Sequence, residues 1–275
     1  MRGRLAALLA AATITVSVGI AVPAQGATPA PVVRVMTFNL CGNVCRHGEV
    51  AHTAANVAAA VRARNVGVAM LQEVCYAQFL GVRARLSAYG FTAVFGPAAT
   101  GGHCDDDDRR HGRGFGVALI AKGRLTAPVV QALPSPDNPA AERRVLLAAS
   151  VRLGARTVSL VTAHTAPGGP DLAAQLAALR RYVTPIASAR PVVVGGDLNA
   201  LPDNPGLTGF YGPRYGGTGV FREANDTRTN PMPTFRTVPR KIDYLFGSQR
   251  FLVPRGAGAV TTPFSDHRMY LGTFG

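Results

Sequence analysis

The apolar positions along the chain follow two periods in turn. Residues 32–40 alternate, with Val33, Val35, Thr37 and Asn39 on one side, and predict a strand. Val50, Ala54, Val57, Ala58 and Val61 then recur at helical spacing and predict an amphipathic helix ending near Arg64. The near-continuous apolar run over 66–71 is the mark of a strand buried on both faces. Phe79, Val82 and Leu86 predict a second helix, closed by Gly90. From residue 91 to 165 successive strands follow, over 91–95, 115–121, 127–133, 144–151 and 157–165. A third helix is predicted from near Asp171, just after Pro170, with Leu172, Leu176, Leu179 and Val183 as its apolar stripe. Residues 191–197 make another buried strand, and two or three more are expected towards the C-terminus. Residues 201–240, rich in Gly, Pro, Asn and Thr, read as long surface loops with one short strand pair at most. Many strands with about three substantial helices predict an α/β fold in which sheet packs on sheet and helices lie outside.

The first residues stand apart from this pattern. Arg2 and Arg4 form a basic start, residues 5–22 form an apolar run, and Pro23-Ala24-Gln25-Gly26-Ala27 supplies small residues, the order of a secretory signal. Ala24, Gly26 and Ala27 all suit the last position before a cut; the signal is taken as residues 1–27. The alternative is an uncleaved anchor, since the run approaches spanning length, but its Ala, Thr and Gly content makes a weak span. No second apolar stretch of that length follows. Residues 28–275 are expected to form one secreted, soluble, monomeric domain, with neither an internal repeat nor a separating linker.

Charge narrows the partners. Lys and Arg number 29 against 15 Asp and Glu; without Arg2 and Arg4 the net charge is +12. Such an excess favours polyanions, either nucleic acid or an anionic lipid surface. An Arg-rich, Lys-poor composition also reflects genomic base bias, so charge raises the odds of a nucleic-acid substrate without settling them. The four cysteines, Cys41, Cys45, Cys75 and Cys104, predict two disulfides in an exported chain, with three pairings open. Their spacings of 4, 30 and 29 do not make the two close pairs of a zinc site.

Of the 15 acids, four make the run at 105–108, which reads as a solvated loop with Ca²⁺ binding as the minority alternative. Four others, Glu73, Asp197, Asp243 and Asp266, lie in or beside apolar strand or turn segments. A lone buried carboxylate there costs several kcal/mol (roughly) unless paired or bound to a metal. One such acid can be a structural ion pair; four are harder to explain that way. Asp197 and Asn199 lie two apart and share a face if the chain stays extended, and Gly195 and Gly196 leave room for a ligand or another backbone. Asn39, Glu73, His164 and Asp197 all fall at or near the carboxyl ends of predicted strands, where α/β sheets gather ligands.

The ordered segments Met36-Thr37-Phe38-Asn39-Leu40, Leu71-Gln72-Glu73-Val74, Thr162-Ala163-His164-Thr165, Gly196-Asp197-Leu198-Asn199-Ala200, Lys241-Ile242-Asp243-Tyr244-Leu245 and Ser265-Asp266-His267 carry a specific resemblance. In that order they resemble the signature blocks of the endonuclease/exonuclease/phosphatase superfamily, which contains DNase I. The resemblance implies a DNase I-like sandwich of two mixed β-sheets flanked by helices, with the site at one edge. It implies Glu73 as the principal Mg²⁺ ligand, with Mn²⁺ or Ca²⁺ as alternatives, Asn39 beside metal and phosphate, and Asp266 helping to bind metal or hold the site. It further implies that Asp197 and Asn199 position and activate water, that Asp243 orients His267, and that His164 protonates the leaving oxygen or stabilises its charge. Whether Asp197 or His267 takes the water's proton stays open. Arg143 and Arg144 stand where the resemblance suggests a phosphate-contacting arginine.

Each residue has a plainer reading. His164 alone suits a satisfied strand histidine, Asp243 beside Arg240 and Lys241 a surface ion pair, and Asn39 a turn cap. The arginine pair also suits a solvated strand end. His47, His52, His103 and His111 have no matching motif and receive no role. The leading expectation is a secreted Mg²⁺-dependent phosphodiesterase acting as a nuclease on DNA, with RNA a further substrate. The alternative is a phosphoinositide phosphatase or sphingomyelinase-like lipid phosphodiesterase using the same site. The segment Val238-Pro239-Arg240-Lys241-Ile242-Asp243-Tyr244 lacks the Trp-Cys-Asp-Arg element typical of inositol-phosphate phosphatases, and the chain has no Trp for an aromatic membrane hairpin. A non-catalytic polyanion binder on the same fold would be expected to lack Glu73, Asp197 or His267; all are present.

Overall fold

Two strand–helix–strand units form the centre of the fold. In the first, β1 (Val33–Asn39) and α1 (Ala51–Ala63) lead to β2 (Val68–Cys75), and β1 and β2 pair in parallel. In the second, β7 (Arg156–His164) and α3 (Gly169–Ala189) lead to β8 (Val192–Asp197), again a parallel pair. These are computed structural model coordinates, and they describe residues 32–99, 102–104, 114–138 and 142–275. The expected signal segment and the acidic run at 105–108 lie outside the described residues.

Around each parallel pair the remaining strands add antiparallel. They are β3 (Phe91–Ala99), β4 (Phe115–Lys122), β5 (Leu125–Ala132), β6 (Val145–Leu153), β9 (Phe221–Glu223), β10 (Asp243–Ser248), β11 (Pro254–Val260) and β12 (Met269–Phe274). One six-stranded sheet has the order β11-β12-β1-β2-β4-β3 and the other β5-β6-β7-β8-β10-β9. Both are mixed, and together they form the α/β sandwich expected from the sequence. α2 (Tyr76–Ser87) follows β2, and a short α4 (Pro205–Thr208) follows β8.

Alternation along each strand divides the core. Val33, Val35, Val68, Met70, Leu160, Val193 and Leu245 meet between the sheets. Met36, Phe38, Ala69 and Leu71 turn outwards under α1 and α2, with Val57, Val61, Phe79 and Val82 as their partners. Val161, Ala163, Val192 and Val194 turn outwards under α3, against Leu172, Leu176, Leu179 and Val183. Strands covered on both faces need apolar residues at every position, which is why β2 and β8 read as unbroken apolar runs. One polar layer crosses the interior: Thr37 Oγ1 donates to Gln72 Oε1 (3.2 Å), and Gln72 Nε2 donates across the sandwich to Thr162 Oγ1 (3.0 Å).

One expectation, the end of β2, is corrected. Residues 201–240 are mostly turns and loops at the surface, as expected, but Leu207, Phe210, Tyr211 and Phe221 are fully buried against Phe246 and the α3 side of the second sheet. Their apolar side chains pack as a layer although their backbone forms only α4, β9 and turns. β2 runs on past Leu71 to Cys75, through a bulge between Leu71 and Val74. Of the two uses open for Gly195 and Gly196, the structure shows close protein packing: a Cβ on Gly195 would lie 2.7 Å from Met70 Sδ, and one on Gly196 2.0 Å from the Ala163 carbonyl oxygen. The pairings left open among the cysteines are Cys41–Cys45 and Cys75–Cys104. Among the described residues no helix is long and apolar enough to cross a membrane.

α1 starts at a carboxylate cap. Glu49 Oε1 accepts the His52 N–H (2.8 Å), and Oε2 accepts the Thr53 N–H (3.0 Å) and hydroxyl (3.1 Å). What burial Glu49 has works to raise its pKa, but these hydrogen bonds and the His52 charge outweigh it and lower the value from 4.5 to about 2. A depressed carboxyl pKa stabilises the fold above the unfolded value and loses that contribution as pH falls through the folded one. Glu49→Ala is therefore expected to destabilise the protein by about 1 kcal/mol near neutral pH. The difference should shrink between pH 4.5 and about 2, as followed by urea unfolding across that range. A difference that did not change with pH would place the stabilisation elsewhere.

Candidate active site

The carboxyl ends of both parallel pairs point to the same edge of the sandwich. Asn39 ends β1, Glu73 lies near the end of β2, and His164 and Asp197 end β7 and β8, where they face each other in register. β10 runs antiparallel to β8, so Asp243 at its start stands opposite Asp197. His267 precedes β12, which enters the first sheet from the same edge.

Glu73 reaches this edge because of the bulge. Leu71 and Val74 both face α1 and α2, so one extra residue separates them, and Glu73 takes a left-handed φ of 48° there. In regular alternation Glu73 would point under the helices with Leu71. The bulge re-aims it towards the gap between the sheets, a usual role of bulges at sites. The left-handed conformation of a non-glycine residue costs about 1–2 kcal/mol.

At the centre lies Asp197, 1% exposed. Its Oδ2 accepts Asn39 Nδ2 at 3.0 Å and lies 3.5 Å from His164 Nε2 and 3.6 Å from His267 Nε2. Its Oδ1 accepts the Asn199 N–H at 3.0 Å. The second N–H of the Asn39 amide goes to Glu73 Oε1 at 2.9 Å, so one amide bridges two carboxylates. Burial, and then the charge of Asp243, push the Asp197 carboxyl up to about 7, against the opposing effects of His267, Asn39 and Asn199. Asn199 does not continue the strand: it has φ 46°, and its side-chain Nδ2 donates to the Thr165 carbonyl at 2.9 Å. The shared face expected for Asp197 and Asn199 is thus lost at the strand end, and the backbone N–H makes the link instead.

Asp243 is fully buried, which excludes a surface ion pair; its Oδ2 lies 2.9 Å from His267 Nδ1. Burial works to lower the His267 pKa, but the charge and hydrogen bond of Asp243, then the charges of Asp197 and Asp266, raise it to about 10. His267 is therefore an imidazolium at neutral pH, with its second proton on Nε2 towards Asp197. His164 behaves in the opposite way. Arg144 Nη1 lies 2.7 Å from its Nδ1 and 2.9 Å from its Nε2, and since arginine only donates, the ring nitrogen it meets must be an acceptor. Burial, the Arg144 charge and that of His267 hold the His164 pKa well below 6.5. A neutral ring fits these contacts, with either nitrogen able to accept from Arg144; Nε2 also lies 3.5 Å from Asp197 Oδ2 and 3.7 Å from Glu73 Oε1.

The two neighbouring arginines separate. Arg144 lies against His164 and 3.4 Å from Glu142, whereas Arg143 is exposed and makes no hydrogen bond or ion pair among the described residues. Asp266 sits at the rim, where Oδ1 accepts the Ser265 hydroxyl at 3.3 Å. Its carboxylate is grouped in space with Cys41 and Cys45, but disulfide sulfurs offer no thiolate, so that trio holds no metal. Asp197, Asp243 and His267 form a second group of oxygen and nitrogen donors.

Carboxylate and amide oxygens dominate the donor set, which suits a hard divalent cation. Two observations fit one here. Glu73 has one oxygen held by Asn39 and stands at the open side of the site, and Asp243 Oδ1 is buried without a hydrogen-bond partner among the described residues. Sequence reasoning missed the layer beneath, Thr37, Gln72 and Thr162, because uncharged polar residues in strands carry no distinctive signal. It also missed Glu223, a fully buried acid 3.2 Å from Lys241 Nζ that accepts the Tyr270 hydroxyl (2.7 Å). Its place in the strand-like run Val220-Phe221-Arg222-Glu223-Ala224 was the available signal.

A sandwich of two mixed sheets with acids, an amide and two histidines at one edge is the arrangement of a metal-dependent phosphoester hydrolase. Residues 36–267 match the Endonuclease/Exonuclease/phosphatase family, and the chain belongs to that family. The fold is similar to that of the human Nocturnin catalytic domain, with TM-score 0.71 and 20% identity over 89% of this chain and 93% of the other. It is also similar to an endonuclease/exonuclease/phosphatase from Bacteroides vulgatus, with TM-score 0.67 and 18% identity over 89% and 98%. A third similar structure is D. rerio TDP2 complexed with a single-strand DNA product, with TM-score 0.66 and 15% identity over 89% and 99%. No curated protein sequence matches the chain.

The buried Asp243–His267 pair generates a measurable outcome. A raised histidine pKa stabilises the fold below the unfolded value of 6.5 and loses that contribution as pH rises through about 10. Asp243→Asn is expected to lower the His267 pKa, followed by NMR titration of its ring protons. It should destabilise the protein by about 3–5 kcal/mol near neutral pH. The loss should be smaller above pH 10 than at pH 6. An unchanged His267 titration would separate the two residues.

Proposed function

We propose that the chain is an exported Mg²⁺-dependent nuclease that hydrolyses phosphodiester bonds in DNA, and in RNA as a further substrate, acting as a monomer. The observation that carries this reading is the Asn39-bridged pair of Glu73 and Asp197 facing the Asp243–His267 pair, on a chain with a large excess of positive charge. Export is supported by the signal-like start and the two disulfides.

Glu73 would hold the Mg²⁺, with Asn39 and Asp266 near it; Mn²⁺ and Ca²⁺ share its preference for oxygen. The bound ion supplies positive charge for the phosphoryl oxygens. Asp197, with its carboxyl raised to about 7, is matched to accept the proton of the attacking water, and the Asn199 N–H holds its Oδ1 in place. His267, charged by its contact with Asp243, donates from Nε2 to a phosphoryl oxygen rather than acting as the base. His164, neutral and held by Arg144, presents Nε2–H to the developing charge on the leaving oxygen. Arg143, exposed beside it, contacts the substrate backbone.

One observation favours a second reading. A cleft of about 660 Å³ lined by Leu201, Pro202, Pro231, Pro239 and Arg240 opens beside the segment that follows Asn199, and Leu201 is 45% exposed. An apolar wall next to an arginine also suits a phosphoinositide or sphingomyelin headgroup.

The test incubates the protein with plasmid DNA, RNA, and phosphoinositide or sphingomyelin vesicles, in Mg²⁺ and in EDTA. DNA cleavage is expected in Mg²⁺ only. Glu73→Gln, Asp197→Asn and His267→Ala should each lower turnover by at least about a hundredfold while keeping DNA binding. Arg143→Ala should weaken DNA binding and reduce its salt slope by about one, leaving a small phosphodiester unaffected. Arg144→Ala should slow both substrates, because it also frees His164. With the small phosphodiester, the rate should fall below about pH 7 and again above about 10. Lipid hydrolysis without nucleic-acid cleavage would replace the nuclease reading by the second one.

A further inference from the structure

The metal-side half of the site is tied to a five-residue loop. After Asn39 the chain keeps pairing with the bulged end of β2: the Leu40 N–H donates to the Gln72 carbonyl (2.9 Å) and the Gly42 N–H to the Glu73 carbonyl (2.8 Å). Gly42 admits no side chain, since a Cβ would lie 2.6 Å from that Glu73 carbonyl oxygen. Between them Cys41 takes a left-handed φ of 48°, and its N–H donates to Asn39 Oδ1 at 2.9 Å. Cys45 N–H and Arg46 N–H return to the Cys41 carbonyl at 3.0 and 3.1 Å, and the Cys41–Cys45 disulfide closes the turn.

That N–H acts together with the two carboxylates in setting which way the Asn39 amide faces. With Oδ1 committed to Cys41, both N–H bonds of Nδ2 are left for Glu73 Oε1 and Asp197 Oδ2. A flipped amide would set its oxygen against two carboxylates. The left-handed cysteine is unfavourable for its residue type, and the disulfide constrains the turn that contains it.

We propose that the Cys41–Cys45 disulfide is a positioning element of the metal centre, acting through the orientation of the Asn39 amide; this rests on the hydrolase reading above. Its loop is too short to restrict the unfolded chain as much as the bond between Cys75 and Cys104, whose sequence separation is 29, so its main contribution is local geometry. The two bonds also differ in access. Cys75 and Cys104 are 0% and 1% exposed, whereas Cys45 is exposed and Cys41 is buried. An external thiolate therefore reaches the Cys45 Sγ first. It forms a mixed disulfide and expels Cys41 as the thiolate, which takes a proton. A second thiol then resolves the mixed disulfide, leaving two protein thiols and one oxidised reductant disulfide.

The experiment compares wild type, Asn39→Ala, the Cys41→Ser/Cys45→Ser pair and the triple variant. The readouts are Mn²⁺ binding by calorimetry, and kcat and KM on a small phosphodiester. The cysteine pair is expected to weaken Mn²⁺ binding about tenfold and to lower kcat more than KM, with little change in Tm. Asn39→Ala should then add less than about twofold in the background lacking the disulfide, because neighbours acting through one contact are non-additive. Unchanged Mn²⁺ binding and kcat in the cysteine pair, or a full additional loss in the triple variant, overturns the proposal. Should the pair fail to fold, wild type is titrated with dithiothreitol under native conditions while Cys45 labelling is mapped. Activity and Mn²⁺ binding are expected to fall in step with that labelling and to return on reoxidation. Full labelling of Cys45 with both unchanged overturns the proposal. An oxidised wild type that neither binds Mn²⁺ nor hydrolyses phosphodiesters with metal overturns the hydrolase reading, and this inference with it.

Discussion

Asp197 is a carboxyl group that the fold buries almost completely, and its surroundings are arranged around that fact. A carboxylate out of water is tolerated only when hydrogen bonds and opposite charges replace its hydration. Here an amide N–H from β1, a backbone N–H from Asn199 and the positive ring of His267 do so, each from a different segment of the chain. Asp243 works against it by repulsion and makes up for this by keeping His267 charged. The site is therefore a single electrostatic unit, balanced by protein cations on one side and open at Glu73 on the other.

Such a unit requires two sheets held in a fixed relation, since Asn39 and Glu73 belong to one and His164, Asp197 and Asp243 to the other. The Thr37–Gln72–Thr162 chain lies along the same strands and crosses the sandwich. A polar bridge in an apolar interior has few alternative partners, so it resists sliding of the sheets better than interchangeable aliphatic contacts. Behind β10, Lys241 lies 3.2 Å from Glu223 and 3.7 Å from the centre of the Tyr270 ring, linking β9, β10 and β12 close to Asp243. Buried pairs of this kind are weak contributors to stability, and their effect here is to hold the start of β10 in one place.

The two histidines are made different by their neighbours. His267 touches carboxylates and stays charged; His164 touches an arginine and stays neutral. One edge of the sandwich thus brings together a histidine with a raised pKa, a histidine with a lowered one and a carboxyl group raised to about 7. The neighbouring arginines show how finely this depends on position: Arg144 sets the state of His164, while Arg143, one residue away, points to solvent.

Much of this was written in the linear pattern. Apolar runs located β1, β2, β7 and β8, helical spacing located α1, α2 and α3, and acids placed at the ends of apolar strands marked Glu73, Asp197 and Asp243. These depend on local periodicity and on the cost of burying charge, which any segment displays by itself. Other features needed the fold. The bulge that turns Glu73 into the site exists only in the register of β2 against β4. The burial of Phe210 and Tyr211 depends on the surface of α3 and β10, and the division between Arg144 and Arg143 on where β6 begins beside the end of β7. Which cysteines pair, and which way the Asn39 amide faces, follow from distances across the chain. Local sequence sets what each segment prefers; only the assembled sheets decide which neighbours satisfy a buried polar group.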